Sequence, residues 1–261
     1  MSLIGEQRKR TILDLLHAKG NVTSSALVRQ LGVSKETVRK YLDELEQEGL
    51  LRKVYGGAIA LSASRDEPPY LERMTLHRDE KNKIGRRAAT LVQDGDVLFL
   101  DEGTTLMAMI PYLVQRGLTI LTNFFPSASL LIERLHQGRF DGRVIFLGGE
   151  IQAEHARTAG SMTEEWLDRH YVDKAFISVD GLHADAGLTS IDAGKAGVSR
   201  KAVMHAAEAI AVADFSKLGL RYPYKIHDLT GISRIVCDQC PPKEWSGTLK
   251  RRDIVWEAAD N

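Results

Sequence analysis

Apolar residues in the first 60 positions recur at the spacing of short α-helices. Ile12, Leu13 and Leu16 form a stripe that predicts a first helix from about residue 6 to residue 18. Two further stripes predict a second and a third helix. Their apolar positions are Leu27, Val28 and Leu31 in the second helix, and Val38, Leu42 and Leu45 in the third.

The third predicted helix carries basic residues away from its apolar face. Ser34 is a favourable N-cap, and Gly32 permits a tight turn because glycine adopts positive φ without a steric penalty. Two short strands around Gly56-Gly57 then form a wing. This order of elements is typical of a winged helix-turn-helix, whose third helix enters the major groove of DNA. The predicted DNA-contacting residues are Ser34, Lys35, Thr37, Arg39 and Lys40, with Arg52 and Lys53 on the wing.

A generic three-helix bundle whose Lys and Arg only solvate its surface is the alternative for this head. The cap, the turn, the basic helix and the wing follow one another within 60 residues, which favours DNA binding.

Beyond residue 80, continuous apolar runs alternate with helical patterns. Such runs suit strands buried on both faces, and helices between them suit a parallel sheet. We therefore expect an α/β fold: an N-terminal winged helix-turn-helix followed by a doubly wound, mostly parallel α/β domain. The predicted strands are residues 97–100, 118–121, 144–147, 175–179, 209–213 and 235–237.

A change in composition separates the two parts. Small and charged residues lead into Pro68-Pro69, and consecutive prolines favour an extended linker. The predicted division is a DNA-binding domain at 1–60, a linker at 61–79, an α/β domain at 80–240 and a C-terminal tail at 241–261.

Composition and charge restrict the classes of protein to which this chain can belong. A chain of 261 residues with 43% hydrophobic and 27% charged residues is typical of a folded globular protein. Residues 1–60 hold ten Lys and Arg against seven Asp and Glu, an excess too small to establish a nucleic-acid partner alone. The start becomes charged before a signal-peptide core forms, and no uncharged stretch is long enough to span a membrane. We expect a cytoplasmic protein without a membrane partner.

Two cysteines, Cys237 and Cys240, are too few for a disulfide scaffold or a tetrahedral zinc site. We expect no metal and no cofactor.

Polar residues and glycines follow the ends of several predicted strands. In a parallel sheet these loops meet at one edge, where α/β proteins bind their ligands. Gly103, Thr104 and Thr105 open a helix whose unpaired N–H groups suit a phosphate, although an ordinary strand-to-helix turn is the alternative for this motif alone. Lys217 is the candidate cation for pairing with a bound anion. The remaining candidates are Asp180 and Gly149, with Lys195, Arg157 and Arg200 as further cations.

The head resembles that of DeoR-type bacterial transcription regulators. The resemblance rests on residues 8–16, 31–42 and 48–50 together with Gly56-Gly57-Ala58. The family reads Ser-x-x-Thr-Ile-Arg-Arg-Asp-Leu, and this chain has Lys40 and Tyr41 where Arg and Asp are usual. The resemblance therefore implies that Tyr41 lies at the DNA surface and alters base preference.

The resemblance extends over residues 6–240. Asp101-x-Gly103-Thr104-Thr105, Thr122-Asn123 and Asp214-x-Ser216-Lys217 are similar to the sensor domain of the same family. It implies a fold like that of ribose-5-phosphate isomerase and a pocket for a phosphorylated sugar, with phosphate on the Gly-Thr-Thr loop. By resemblance, Asp101, Thr122 and Asn123 also line this pocket. Relatives often carry an acidic residue where this chain has Lys195, which implies a more anionic effector.

The isomerases place their acid–base carboxylates in an Asp-Gly-Ala-Asp-Glu stretch. This chain reads Asp180-Gly181-Leu182-His183-Ala184 and lacks both later carboxylates, which proton transfer between sugar carbons would need. We therefore predict a binding pocket without turnover, and not an enzyme. A sugar-phosphate isomerase with an accessory head and a constitutive DNA-binding scaffold are the alternatives.

The predicted function is a sequence-specific DNA-binding transcriptional regulator, a repressor of a carbohydrate-utilisation operon controlled by a phosphorylated sugar or related metabolite. The expected partners are a double-stranded DNA operator, this anionic metabolite, and further copies of the chain in a homo-oligomer, a dimer or tetramer. Arg39 must then be exposed, while Thr104 and Lys217 converge at a pocket distant from it.

Overall fold

The computed structural model describes residues 3–19, 21–48, 50–60 and 67–259. The described part of its N-terminal head has three helices and a three-stranded antiparallel sheet. Thr23 caps the second helix by accepting a hydrogen bond from the Ala26 N–H (3.0 Å), and Gly32 ends that helix with φ +61°. The elements are α1 (Leu3–Lys19), β1 (Asn21–Thr23), α2 (Ser24–Leu31), α3 (Lys35–Gln47), β2 (Leu51–Val54) and β3 (Gly57–Ala60), with sheet order β1-β3-β2. The predicted winged helix-turn-helix is confirmed.

A seven-stranded sheet forms the centre of the second domain, and every pair of neighbouring strands in it is parallel. Its order is β15-β14-β12-β9-β4-β5-β6. The strands are β4 (Val97–Leu100), β5 (Leu118–Thr122), β6 (Gly142–Phe146), β9 (Val172–Ser178), β12 (Ala206–Ala213), β14 (Arg234–Cys237) and β15 (Val255–Ala258). All six predicted strands belong to this sheet, which confirms the doubly wound α/β fold.

Helices cover both faces of this sheet. Phe99 and Leu121 belong to one buried apolar cluster, whereas Leu98, Leu100 and Ile120 belong to the other, because successive side chains of a strand point to opposite faces. The helices are α4 (Tyr70–Arg73), α5 (Arg78–Ala89), α6 (Thr104–Met107), α7 (Phe125–His136), α8 (Ser161–Asp168), α9 (Ala193–Met204) and α10 (Ser246–Arg251).

Two small antiparallel sheets lie beyond the carboxyl ends of the central strands. The first is a hairpin of β7 (Glu150–Gln152) and β8 (Arg157–Ala159). The second has the order β10-β11-β13, formed by β10 (Gly181–His183), β11 (Gly187–Ser190) and β13 (Tyr224–His227). Both add side chains around the edge at which the predicted ligand loops meet.

The linker and the tail differ from their predicted boundaries. The predicted linker already contains α4 and the start of α5, and residues 61–66 of it lie outside the described residues. The predicted tail contains α10 and β15, which pairs in parallel with β14. Trp256 of β15 donates from its indole nitrogen to the Gln239 carbonyl oxygen (2.8 Å), so long-range contacts fix a strand that its short mixed sequence did not reveal.

The head packs directly on the second domain. Tyr55 of the wing lies against the apolar core of the α/β domain, and Asn21 Nδ2 donates to the His77 ring, 3.0 Å from Nδ1. None of the helices in the described ranges combines the length and apolarity needed to cross a bilayer.

Candidate functional site

The third helix presents one apolar and one basic face. Val38, Leu42 and Leu45 are buried in the core of the head. Arg39 and Lys40 are exposed on the opposite side, and the Lys40 side chain is 74% exposed. The predicted recognition helix is therefore open to solvent, as insertion into a DNA groove requires.

The first turn of α3 is held by its cap. Ser34 Oγ accepts a hydrogen bond from the Thr37 N–H (3.2 Å), and the two hydroxyl oxygens lie 2.9 Å apart. Lys35 and Ser34 are exposed beside this turn. A capped first turn orders the backbone that lies closest to the base edges when such a helix enters DNA.

Two predicted DNA residues have protein partners of their own. Tyr41 is half-buried and packs against the apolar core of the head. Lys53 pairs with Asp43 through its ammonium group and donates its backbone N–H to Glu46 Oε1 (2.6 Å). Arg52 is half-buried on the same strand. We expect weaker contributions to DNA contact from these positions than from Arg39.

A cavity of about 740 Å³ opens at the carboxyl ends of β4, β9 and β12. The chain order of the sheet reverses between β4 and β9, and such switch points are where open α/β sheets bind ligands. Segment 67–77, here called the strap, covers one side of the cavity. Leu16, Asn21 and Ile59 of the head also line the cavity, whereas Arg39 of the recognition helix is absent from its wall.

Six of the ten predicted effector residues line this cavity: Gly103, Thr104, Thr105, Asp180, Lys195 and Lys217. Thr104 and Lys217 therefore face the same space. Gly103 has φ +120°, a conformation that a side chain would strain, and it turns the chain from β4 into α6 beside the cavity.

The other four residues are absent from the cavity wall. Asp101 is fully buried and accepts hydrogen bonds from Ser199 Oγ (2.7 Å) and the Ser178 N–H (3.2 Å). Burial and the neighbouring Glu102 raise the pKa of Asp101 to about 7. This carboxyl group holds β4, β9 and α9 together and does not face a ligand.

Thr122, Asn123 and Gly149 have structural roles at the next two strand ends. Thr122 Oγ1 accepts from the Phe124 N–H (3.2 Å), and Asn123 Nδ2 donates to the Thr158 carbonyl oxygen (2.8 Å). A β-carbon at Gly149 would lie 2.0 Å from Thr163 Oγ1, so this glycine permits close packing. Strand position alone did not distinguish such residues from those that face the cavity.

Lys195 lines the cavity, but its charge is already paired. Its ammonium nitrogen lies 3.0 Å from Asp180 Oδ1 and 3.2 Å from Glu102 Oε1. Burial alone would raise the pKa of Asp180, yet Lys195 and Lys217 hold it well below its usual range. Asp180 is therefore ionised and a weak base at neutral pH.

Two arginines extend this buried ion network. Arg157 is fully buried, and its Nη1 lies 2.8 Å from both Glu67 Oε2 and Glu102 Oε1. Arg73 Nη1 lies 2.5 Å from Glu67 Oε1 and 3.4 Å from Glu102 Oε2. Burial opposes the ionisation of Glu102, but Arg157 and Lys195 keep its pKa well below the usual range. Arg200, by contrast, donates to the Ile226 carbonyl oxygen (3.2 Å) and is absent from the cavity wall.

A second group of titratable residues lies near Lys217. Burial lowers the pKa of Lys81 to about 8, although Asp214 opposes this effect. Burial likewise lowers the pKa of His77, while the pKa of Asp214 falls, against the effect of burial, because His77 and Lys217 lie near it. The surroundings of Lys81 thus bring its pKa towards the neutral range, and Lys81 lines the cavity together with Lys217.

Sequence reasoning missed Glu67, Arg73, His77 and Lys81 as cavity residues. The first three lie in the stretch that reads as a linker, where charged residues are normally solvated. The sequence did offer one signal for Glu67, which is a charged residue directly before Pro68-Pro69. Two consecutive prolines restrict the backbone conformation of themselves and of the residue before them, so the position of that residue is more defined than in an ordinary linker.

Comparisons with known proteins agree over both domains. The family model described as DeoR-like helix-turn-helix domain matches residues 8–64, and the one described as DeoR C terminal sensor domain matches residues 76–239. The chain is 34% identical over 250 residues to the HTH-type transcriptional repressor GlcR of Bacillus subtilis, covering 95% of this chain and 94% of that protein. It is 35% identical over 211 residues to the lactose phosphotransferase system repressor of Staphylococcus epidermidis, covering 80% and 82%.

Among solved structures, the chain is similar to ribose 5-phosphate isomerase A from Methanocaldococcus jannaschii, with 22% sequence identity and a TM-score of 0.39. The match covers 54% of each chain.

Proposed function

Because the chain belongs to the DeoR family of helix-turn-helix transcriptional regulators, we propose that it represses transcription by binding operator DNA through α3 and that an anionic metabolite in the cavity controls this binding. The observation that carries the proposal is the solvent-exposed basic face of α3, with Arg39 and Lys40 opposite the buried apolar face. One relative is named for the lactose phosphotransferase system. We extend a role in carbohydrate use to this chain on that basis.

DNA binding is tested with the full chain and a fluorescent duplex from its own promoter. We expect tight binding to this duplex and weaker binding to a shuffled duplex of equal length. Arg39→Ala should reduce affinity by about 5- to 150-fold, because a lost base or phosphate contact costs about 1–3 kcal/mol. Lys83→Ala, which removes an exposed charge from the α/β domain, is the matched control. Equal affinity for both duplexes would defeat the proposal.

The effector we propose is a phosphorylated sugar or a related anionic metabolite. Lys217 and Lys81 supply positive charge, and Thr104 supplies a hydroxyl at the start of α6. A ligand that binds only the folded protein raises its melting temperature. Thermal shift with pentose and hexose monophosphates, against the unphosphorylated sugars, tests this. A rise for the phosphorylated compounds alone is expected, and no rise for any of them favours the constitutive scaffold.

We propose that the cavity binds without catalysing isomerisation. Asp180 is held ionised by Lys195, and Asp101, whose pKa of about 7 would suit a base, is fully buried behind the cavity wall. A coupled isomerase assay on pentose phosphates checks this. Turnover that is lost in Asp180→Asn would favour the enzyme instead.

We also propose that the protein acts in the cytoplasm as a homo-oligomer on inverted DNA repeats. A single recognition helix makes a small interface, so two heads are needed for tight and specific binding. Light scattering of the free protein should give a mass at least twice 29.0 kDa. A monomer at the concentration that saturates the operator would refute this part.

A further inference from the structure

The strap places one of its own carboxylates at the edge of the cavity. Glu67 is almost completely buried, although it lies only seven residues after the end of β3 in the head. Its Oε1 faces Arg73 Nη1 at 2.5 Å, and its Oε2 faces Arg157 Nη1 at 2.8 Å. A carboxylate is thus bound between two guanidinium groups, which is the preferred arrangement for recognising an oxyanion.

We propose that Arg73 and Arg157 form an oxyanion-binding subsite of the effector cavity, which Glu67 occupies in the free protein and which a carboxylate or phosphate group of the effector takes over. This inference rests on the proposed function and specifies how the same cavity is regulated. Arg73 and Glu67 line the cavity, whereas Arg157 lies behind Glu67 with no exposed side-chain surface. Departure of the Glu67 side chain would therefore open Arg157 to the ligand.

The surroundings of Glu67 disfavour the ionised form of its carboxyl group. Burial raises its pKa, and the nearby charge of Glu102 raises it further, so the carboxylate is less stable here than in water. Arg157 does not depend on Glu67 alone, because Glu102 lies 2.8 Å from Nη1 and Asp192 lies 3.2 Å from Nη2. An effector oxyanion can thus replace Glu67 without leaving the arginine uncompensated.

The two ends of the strap are fixed in different ways. At the far end, Lys81 donates to the Arg73 and Leu76 carbonyl oxygens, both at 2.6 Å. His77 packs edge-to-face on Phe215 and accepts a hydrogen bond from Asn21 of the head. The near end, which leads to the wing, is held through the Glu67 carboxylate.

Displacement of Glu67 would consequently release the chain just where it runs towards the DNA-binding domain. Thr104 Oγ1 donates to the Arg73 carbonyl oxygen (3.3 Å), so the predicted phosphate loop also contacts the strap. Glu67 then has two positions, one between the arginines and one displaced from them. A ligand that binds more tightly to the displaced state shifts the equilibrium towards it, and the DNA-binding head is then less restrained.

The test compares the full-length protein with Glu67→Gln and with Glu165→Gln. Glu67→Gln removes the competing charge while keeping the shape of the side chain. Glu165 carries the same charge on the exposed surface of α8 and is absent from the cavity wall, which makes Glu165→Gln the control. Binding of inorganic phosphate, ribose 5-phosphate and glucose 6-phosphate is measured by calorimetry.

We expect Glu67→Gln to bind at least one of these anions about tenfold more tightly than the unaltered protein, and Glu165→Gln to stay within about threefold of it. Equal affinities of all three proteins would overturn the subsite while leaving the proposed function intact. Absence of binding to all three proteins would refute the anionic effector and the subsite together.

A second measurement uses the unaltered protein, so it does not depend on folding of the variant. Hydrogen exchange of a peptide covering residues 67–74 is followed by mass spectrometry, because Pro68 and Pro69 have no backbone N–H and the segment must include the amides that follow them. This exchange should become faster when the anion binds, because Glu67 is released. Exchange in α9 should become slower or stay unchanged as the cavity fills. Slower exchange of residues 67–74 on binding would show that Glu67 stays in place and would overturn the proposal.

Discussion

Substitution of Arg157 by methionine tests the buried ion network most directly. Methionine is of comparable length and uncharged, so Arg157→Met removes the charge and limits the cavity that remains. Within the part of the chain that the structure describes, the fully buried Glu102 would keep Lys195 at 3.2 Å and Arg73 at 3.4 Å as its cationic partners. Breaking a buried ion pair in this way costs about 3–5 kcal/mol, because it leaves a buried charge without full compensation.

The expected change in melting temperature follows from the size of the protein. For domains of about 150–250 residues, 1 kcal/mol corresponds to about 2–4 °C, so Arg157→Met should lower the melting temperature by about 6–20 °C. The three tryptophans, Trp166, Trp245 and Trp256, all lie in the α/β domain. Their fluorescence therefore reports unfolding of the domain that contains Arg157. Arg169→Met is the control, because the Arg169 side chain is 76% exposed and its ion pair with Glu165 is long, at 3.9 Å.

The pH dependence gives a second signature. Arg157 and Lys195 lower the pKa of Glu102 in the folded protein. The stability from this ionised carboxylate is therefore present above the unfolded-state pKa of about 4.3 and lost as the pH falls through the folded-state value. In Arg157→Met the pKa of Glu102 rises, so the difference in stability from the unaltered protein should be largest above this raised pKa and shrink as the pH falls from it towards the lower pKa of Glu102 in the unaltered protein.

A double variant tests whether the uncompensated Glu102 carboxylate causes the loss of stability. Adding Glu102→Gln to Arg157→Met removes the carboxylate that the first substitution leaves uncompensated. The double variant should therefore be more stable than the sum of the two single effects predicts, with a coupling energy of about 1–3 kcal/mol. If Arg157→Met is as stable as Arg169→Met at pH 7.5, the network does not stabilise the fold and this reasoning is refuted.

Two further predictions concern local structure. Ser34→Ala removes the hydroxyl that accepts the Thr37 N–H, so the first turn of α3 should lose about 1 kcal/mol. Hydrogen exchange at the start of α3 should become several-fold faster, and unchanged exchange would contradict the cap. Gly85→Ala places a β-carbon 2.6 Å from the Ala108 backbone, so α5 and α6 must move apart at a cost of about 1–3 kcal/mol. Asn82→Ala on the same helix should change the unfolding free energy by less than about 0.5 kcal/mol, and an equal loss in both variants would refute the packing argument.

Local sequence patterns were sufficient for most of the fold. Apolar spacing located the three helices of the head, since Val38, Leu42 and Leu45 bury one helical face. The same patterns located six strands of the central sheet. Periodicity works here because each element buries a face whose repeat is set by backbone geometry alone. The positions of Ser34 and Gly32 as cap and turn were equally readable, because their reasons are local.

The sequence was a weaker guide to the site. It correctly associated Thr104, Asp180 and Lys217 with one edge of the sheet, because parallel strands must end on the same side. It did not separate them from Asp101, whose carboxyl group turns towards Ser199 and away from the cavity. That choice depends on packing against α9, which is almost a hundred residues away in the chain.

Only the tertiary structure decided how the charges are paired and where the cavity lies relative to the head. Lys195 reads as a free cation in the sequence, but Asp180 and Glu102 neutralise it. Glu67 reads as a solvated linker residue, but the fold carries it back to Arg157. The physical reason is that electrostatic pairing depends on distances of a few ångströms between elements distant in sequence, and chain order alone does not encode such distances.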